Sequence, residues 1–468
     1  MAATAPAPAG EASTMLPRRH HAVELELNAC GVECCPHDAH KGLVAVASYL
    51  HSPGDEDTPQ SRVGHLYLYD LRPSGESGDA TETGGDGGDA DAVCDARTGW
   101  SFARVAPPME TRAIFELAWA PASWLNAAGP ALAQADAGGF LTLYRVHAGE
   151  DGDAVGDDDS ETRDVTRVSG AEARSFERLA SLQCGGGGLG MATCAAWGSD
   201  CATPAASRLA VVGADGGLRI VSVTETGALR VTQETDAAHD LEAWAVAFAS
   251  RDAFHGSGRD VVFSGADDAK LKAWDVRRDL DAPVMRFVDS KTHGAGVTCV
   301  APSPHDPHVL ATGSYDDVVR LWDARAADKP LAAASARLGG GSWRARWHPS
   351  ARRLAVAAMD GGAVVLDWDG EERVASGGEK GDRDARADGE EDEKVLRVES
   401  ELVAGSLRAS PAYDGHASIA YGADWGWRGG ISRRDVVVSC SFYDKGLHVW
   451  TPTPRDVLRV SQQKRRGP

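Results

Sequence analysis

The chain is short of positive charge, of long apolar runs and of organised cysteine. Lys and Arg number 48 against 69 Asp and Glu, a net charge of −21. Phosphate backbones are held by clustered Lys and Arg, so this balance argues against a nucleic-acid surface. No apolar run approaches the ~20 residues that cross a bilayer. The opening MAATAPAPAGEAST lacks the charged-then-apolar order of a secretory leader. No membrane partner is expected, and the scattered Cys suit reduced thiols in a cytosolic or nuclear compartment, with a cytoplasmic location expected. Cys30, Cys34, Cys35, His37 and His40 lie close together, but their spacing matches no closed four-ligand site, so no metal is expected. There is no G-x-S-x-G elbow, which excludes an α/β-hydrolase arrangement. No Gly-rich loop opens a helix, as a dinucleotide or methyl-donor Rossmann site requires, and the glycines at 185–188 are an isolated run. No cofactor is expected.

What is present is repetition. HGAGVTCVAPSPHDPHVLATGSYDDVVRLWDAR, at 293–325, reads as three short strands with a side-chain period of two. Pro, Asp and Gly punctuate them, and Trp322-Asp323 is the dipeptide of WD repeats. The same pattern recurs at 32–71, 113–146, 191–223, 242–277, 343–369 and 419–452. Seven units predict an all-β, seven-bladed WD40 β-propeller over 21–453, between a disordered segment 1–20 and a tail 454–468. HAVELELN at 21–28 is surplus, and a strand is missing after Trp450. The first is expected to complete the last blade, closing the ring and removing sheet edges.

Acidic insertions are expected at 72–99, 148–172 and 370–396. Stretches such as GEDGDAVGDDDSETRD cannot bury enough apolar surface to order themselves, so they read as disordered loops. Within the fifth unit, His293, Ser314, Asp316 and Trp322 are expected to form a hydrogen-bond relay tying the strands together. A neighbouring His, Ser and Asp in this chain is therefore structural by default, since a triad is defined by geometry. Ala266 and Phe442 stand where Ser314 stands, so units four and seven are expected to lack that hydroxyl.

The loop before each first strand and the turn between the second and third strands share the top face. His239 fits the relay, but Glu242 and Trp244 do not need it. Trp343, Tyr421, Asp424 and Trp425 occupy similar early positions, and the turns add Asp267, Tyr315 and Tyr443. Trp244, Trp343 and Trp425 also fit an inter-blade core, where large aromatics usually go. Rings and carboxylates around a channel mouth suit a quaternary ammonium or other soft cation.

HDLEAWAVAF, GGGSWRARWHP, YGADW and CSFYD, in this order, resemble the diphthine methylesterase family of WD-repeat proteins, most strongly over 239–349 and 418–450. The resemblance implies hydrolysis of the methyl ester of methylated diphthine on translation elongation factor 2, giving diphthine and methanol. The substrate's trimethylammonium group suits the expected site, with Trp244, Asp267, Tyr315, Trp343, Tyr421 and Tyr443 binding it. Ester hydrolysis needs an activated water or nucleophile. Glu242 or His239 is assigned as base, with Ser441 or Ser314 as the alternative nucleophile. Two other readings stay open. Trp274-Asp275-Val276-Arg277 and Trp322-Asp323-Ala324-Arg325 are W-D-x-R boxes, which resemble those of non-enzymatic adaptors docking to cullin ubiquitin ligases. A methyl-lysine reader would use the same aromatic residues.

Overall fold

The computed structural model describes residues 16–54, 61–74, 92–95, 99–121, 124, 129–148, 174–185, 190–198, 207–250, 252–253, 258–287, 292–324, 332–370, 405–426 and 435–454. Seven antiparallel sheets form a ring, and the chain is all-β apart from short helical turns among those residues. The innermost strands are Asn28–Cys34, Ile114–Trp119, Ala192–Trp197, Ala243–Phe248, Val297–Pro302, Arg344–Trp347 and Ala420–Gly426. They define blades one to seven. Each blade then runs outward, and apolar clusters fill the spaces between neighbours.

The ends of the chain meet in blade seven. Arg18–Glu24 pairs antiparallel with Gly446–Thr451, Val23 opposite Leu447. The closing strand lies a little earlier than the alternation of HAVELELN suggests. After Glu24 the chain must cross from the outer edge of blade seven to the inside of blade one. Leu25 is buried there, and Asn28 already begins the next strand. At the first acidic insertion, Ser61–Pro73 extends past the expected boundary, and Ala92–Asp95 pairs with Trp100–Arg104. Residues 75–91, 149–173, 371–404 and the expected tail after Pro454 lie outside the described set.

Relays form in blades four, five and seven. In blade five His293 Nε2 and the Trp322 indole N–H both meet Thr312 Oγ1, at 2.9 and 2.8 Å. The relay hydroxyl is therefore Thr312, one full pleat before Ser314. Ser314 serves the turn instead, donating to the Ala295 carbonyl and accepting from the Asp316 amide. Ala266 does stand in register with Ser314, as expected, but neither blade four nor blade seven lacks the relay hydroxyl. Ser264 links His239 to Trp274, and Ser439 links His416 to Trp450, at 2.7–2.9 Å. The residue in register with Ser314 in blade seven is Ser441, because Val297 faces Ser314 as Ala420 faces Ser441. The blade-seven turn holds one more residue before its Asp, which hid this register in the sequence. Each buried bond contributes about 1 kcal/mol.

Candidate active site at the mouth of the channel

The innermost strands share one irregularity. In blades one, two, three, four, five and seven the ladder slips at a single residue, respectively Cys30, Phe115, Thr193, Trp244, Thr298 and Tyr421. A bulge of this kind redirects a side chain without ending the strand. Trp343 occupies the matching place ahead of Arg344 in blade six, its amide bonded to the Ala357 carbonyl at 2.8 Å. Four residues further on, four of the blades end in Trp, namely Trp119, Trp197, Trp347 and Trp425. Their indoles donate to Glu33, Ala118, Ala301 and Arg346 carbonyls of the preceding blade, at 2.9–3.0 Å. Trp425 is thus an inter-blade latch at the base, whereas Tyr421 takes the place at the top.

The top-facing rings join into a circuit. Centroid separations are 5.5 Å for Trp244–Trp343, 5.3 Å for Trp343–Tyr421 and 5.0 Å for Tyr421–Phe442. Phe442–Tyr49 at 5.1 Å, Tyr49–Phe115 at 5.9 Å and Phe115–Trp244 at 6.4 Å close it. Tyr315 lies 6.0 Å from Trp343, and Tyr443 stands edge-on to Phe442 at 5.0 Å. These two reach outward, 37% and 72% exposed. Sequence reasoning missed Tyr49, Phe115 and Phe442. A signal for Phe115 was present, since FELAW repeats the aromatic spacing of WRARW and YGADW. Tyr49 and Phe442 come from second strands or their turns, where no such spacing marks them.

Carboxylates flank the circuit on blade four. Glu242 is exposed, and its carbonyl accepts from the Asp267 amide at 2.9 Å. Burial raises the Asp267 carboxyl above its usual range, Glu242's like charge adds to this, and the Trp244 indole opposes it. The Trp244 N–H is buried without a partner at normal hydrogen-bond distance, so its influence on Asp267 is a longer-range one. Asp267 packs against Gly296 and Tyr315, where a side chain at position 296 would displace the carboxylate. Burial and then the Asp267 charge raise the Tyr315 phenol.

His239 and Ser441 sit elsewhere. His239 is buried with Nε2 on Ser264 and Nδ1 on Asp268 at 3.1 Å, so both ring nitrogens are engaged. Ser441 is fully buried between His416 Nδ1, at 2.7 Å, and Asp444. In a hydrolytic triad the imidazole stands between the acid and the serine, and here the serine stands between the other two. Burial, with His448 adding to it, also holds the His416 imidazole down at about 3, too weak a base to activate a hydroxyl. Ser314 is buried in its turn. In the first W-D-x-R box the Arg277 guanidinium closes back on Asp275 at 2.9 and 2.7 Å. Arg325 of the second lies outside the described residues.

Below the rings the channel holds a cavity of about 410 Å³. Its walls are uneven. Blades three to five present small residues, such as Cys194, Ala247 and Ala301, while Glu33, Glu116, Arg344 and Arg346 come from the other side. Glu116 accepts from Arg344 Nε and Arg346 Nη2, both at 2.8 Å. Seclusion from bulk water pushes the Glu33 carboxyl up to about 8.

Known proteins are similar to this chain to different degrees. A family model described as "WD domain, G-beta repeat" matches residues 285–323. A human protein named diphthine methyltransferase is 27% identical over 86% of this chain and 74% of its own length. The mouse protein of that name is 27% identical over 87% of this chain and 69% of its own length. The chain is a WD-repeat relative of the diphthine methyltransferases. A Dictyostelium discoideum protein named diphthine methyltransferase homolog reaches 32% identity over 51% of this chain, and that match spans only 58% of the Dictyostelium protein. A solved structure, "Crystal Structure of Mitotic Checkpoint Complex", superposes with a TM-score of 0.53 over 96% of this chain and 97% of that one. At 13% identity that likeness speaks for the propeller fold alone.

Proposed function

We propose that this chain acts in diphthamide biosynthesis and hydrolyses the methyl ester of methylated diphthine on translation elongation factor 2, giving diphthine and methanol. The observation that carries the reading is the aromatic circuit beside the Glu242 and Asp267 carboxylates. Neighbouring rings of the circuit stand 5.0–6.4 Å apart, close enough for one cation to lie within about 6 Å of more than one of them. That is the range in which a trimethylammonium group, which has no N–H to donate, is held by aromatic faces.

The chemistry is assigned to the carboxylate pair. One carboxylate takes a proton from water as its oxygen attacks the ester carbonyl carbon. Collapse of the tetrahedral intermediate breaks the C–OCH₃ bond, and the proton leaves with methoxide as methanol. Asp267, whose pKa burial raises, is taken as the base, and the Glu242 charge adds to that rise. The relatives' names speak of methyl transfer. Hydrolysis is preferred because the propeller offers carboxylates and rings at its mouth, and the sequence has no Gly-rich loop opening a helix to cradle a nucleotide-like methyl donor. The test is incubation of the full-length chain with methylated elongation factor 2, watching for methanol. Asp267→Asn is expected to fold and to lose about a hundredfold or more in turnover. Wild-type turnover in that variant removes Asp267 from the chemistry.

A further inference from the structure

Arg344 spans the channel directly beneath the rings. Its Nη1 donates to the carbonyls of Trp343 at 3.0 Å and Thr298 at 3.3 Å. Its Nη2 donates to the Phe115 carbonyl at 3.2 Å, so one side chain from blade six bonds backbone in blades two and five. Phe115 and Thr298 are bulge residues, and Trp343 holds the matching place in blade six. The guanidinium also lies 4.9 Å from the Trp343 ring centroid. Glu116 anchors Nε, and Arg344 is buried.

We propose that Arg344 is a positioning residue that sets the aromatic circuit by fixing the backbone from which two of its rings, Trp343 and Phe115, project. This rests on reading the circuit as a cation site. Bulges are soft places in a ladder, because the extra residue leaves the regular pairing. A planar guanidinium with several fixed donors can hold separate carbonyls at once, which an ammonium on a flexible stem cannot do. Glu116 offsets part of the positive charge beneath a bound cation, and Arg346 shares the same carboxylate.

The experiment uses the full-length chain and tetramethylammonium chloride as probe, titrated by tryptophan fluorescence. Indole N–H signals of the ligand-free protein are recorded by NMR. The main variant is Arg344→Met, which leaves Glu116 its bond to Arg346 Nη2 at 2.8 Å. Removing Glu116 as well would strand the Arg346 guanidinium, and an unpaired buried charge is strongly destabilising. Arg344→Met is expected to fold, to shift the Trp244 and Trp343 indole signals, and to bind the probe roughly tenfold more weakly. Arg344→Lys, which keeps the charge but not the fork, should fold and show the same direction of change. Should the methionine variant fail to fold, the lysine variant decides alone. Unchanged indole signals together with unchanged probe affinity overturn the proposal. If the wild-type chain does not bind the probe, the cation-site reading falls, and the indole shifts still decide whether Arg344 positions the rings.

Discussion

Replacing Trp343 tests the cation site at its best-connected ring. Trp343 touches Trp244, Tyr421 and Tyr315 at centroid distances of 5.5, 5.3 and 6.0 Å. It is 6% exposed, so truncation to Ala removes both a binding face and a packed side chain. A buried Trp→Ala change costs about 3–5 kcal/mol of stability, which would confuse the result. Trp343→Leu is the better perturbation, because it keeps apolar bulk and removes the π face. One cation–π contact contributes about 0.5–2 kcal/mol, so losing one ring should weaken substrate binding roughly two- to thirtyfold. The trimethylammonium group is not the reacting centre and is held equally in the ground and transition states. KM should therefore rise with kcat nearly unchanged. The assay is methanol release from methylated elongation factor 2, on protein whose thermal unfolding is first matched to wild type. A folded Trp343→Leu chain with wild-type KM would refute the aromatic role.

Other outcomes follow from the same structure. Glu242→Gln removes the like charge that helps raise Asp267, so the acid limb of the pH–rate profile should move to lower pH. A stationary limb would separate the two carboxylates. Burial depresses His293 and His448 to about 4 and His416 to about 3. An unfolded His takes its proton near pH 6.5, so the unfolded chain binds more protons below that value. Their stabilising contribution is full above pH ~6.5 and is lost as pH falls toward 4, by up to ~1.4 kcal/mol per pH unit for each His. A flat unfolding temperature from pH 6.5 to 4.5 would contradict this. Deleting residues 1–28 takes away the strand Arg18–Glu24 that closes blade seven and should abolish soluble folding, whereas deleting 1–15 should not. A monomeric, stable 29–468 fragment would refute ring closure. Replacing 379–394 with a short Gly/Ser linker should leave folding and hydrolysis intact, since surface-loop length costs little closure entropy. Loss of elongation-factor binding would make that segment a docking element.

Much of the fold was legible because strand alternation and WD-type punctuation repeat seven times. The alternation of HAVELELN could not show where the closing strand must bend inward, because Leu25 is buried on either reading. The relay was misplaced for a similar reason. Thr312 and Ser314 share a face of the strand, and only the positions of the His293 and Trp322 nitrogens separate them. At the mouth, Trp244, Trp343 and Tyr421 were visible from their positions opening the inner strands. Tyr49 and Phe442 were not, since they arrive from other strands and meet the circuit only once the ring closes. Arg344's span to Phe115 crosses 229 sequence positions, and no local pattern encodes it.

Purified full-length chain, methylated elongation factor 2 and no added cofactor should give methanol and a substrate lighter by one CH₂ unit, at a rate that Asp267→Asn lowers about a hundredfold or more. Methylated elongation factor 2 that stays at its starting mass, while the folded chain still binds it, would contradict the account and leave a binding module in its place.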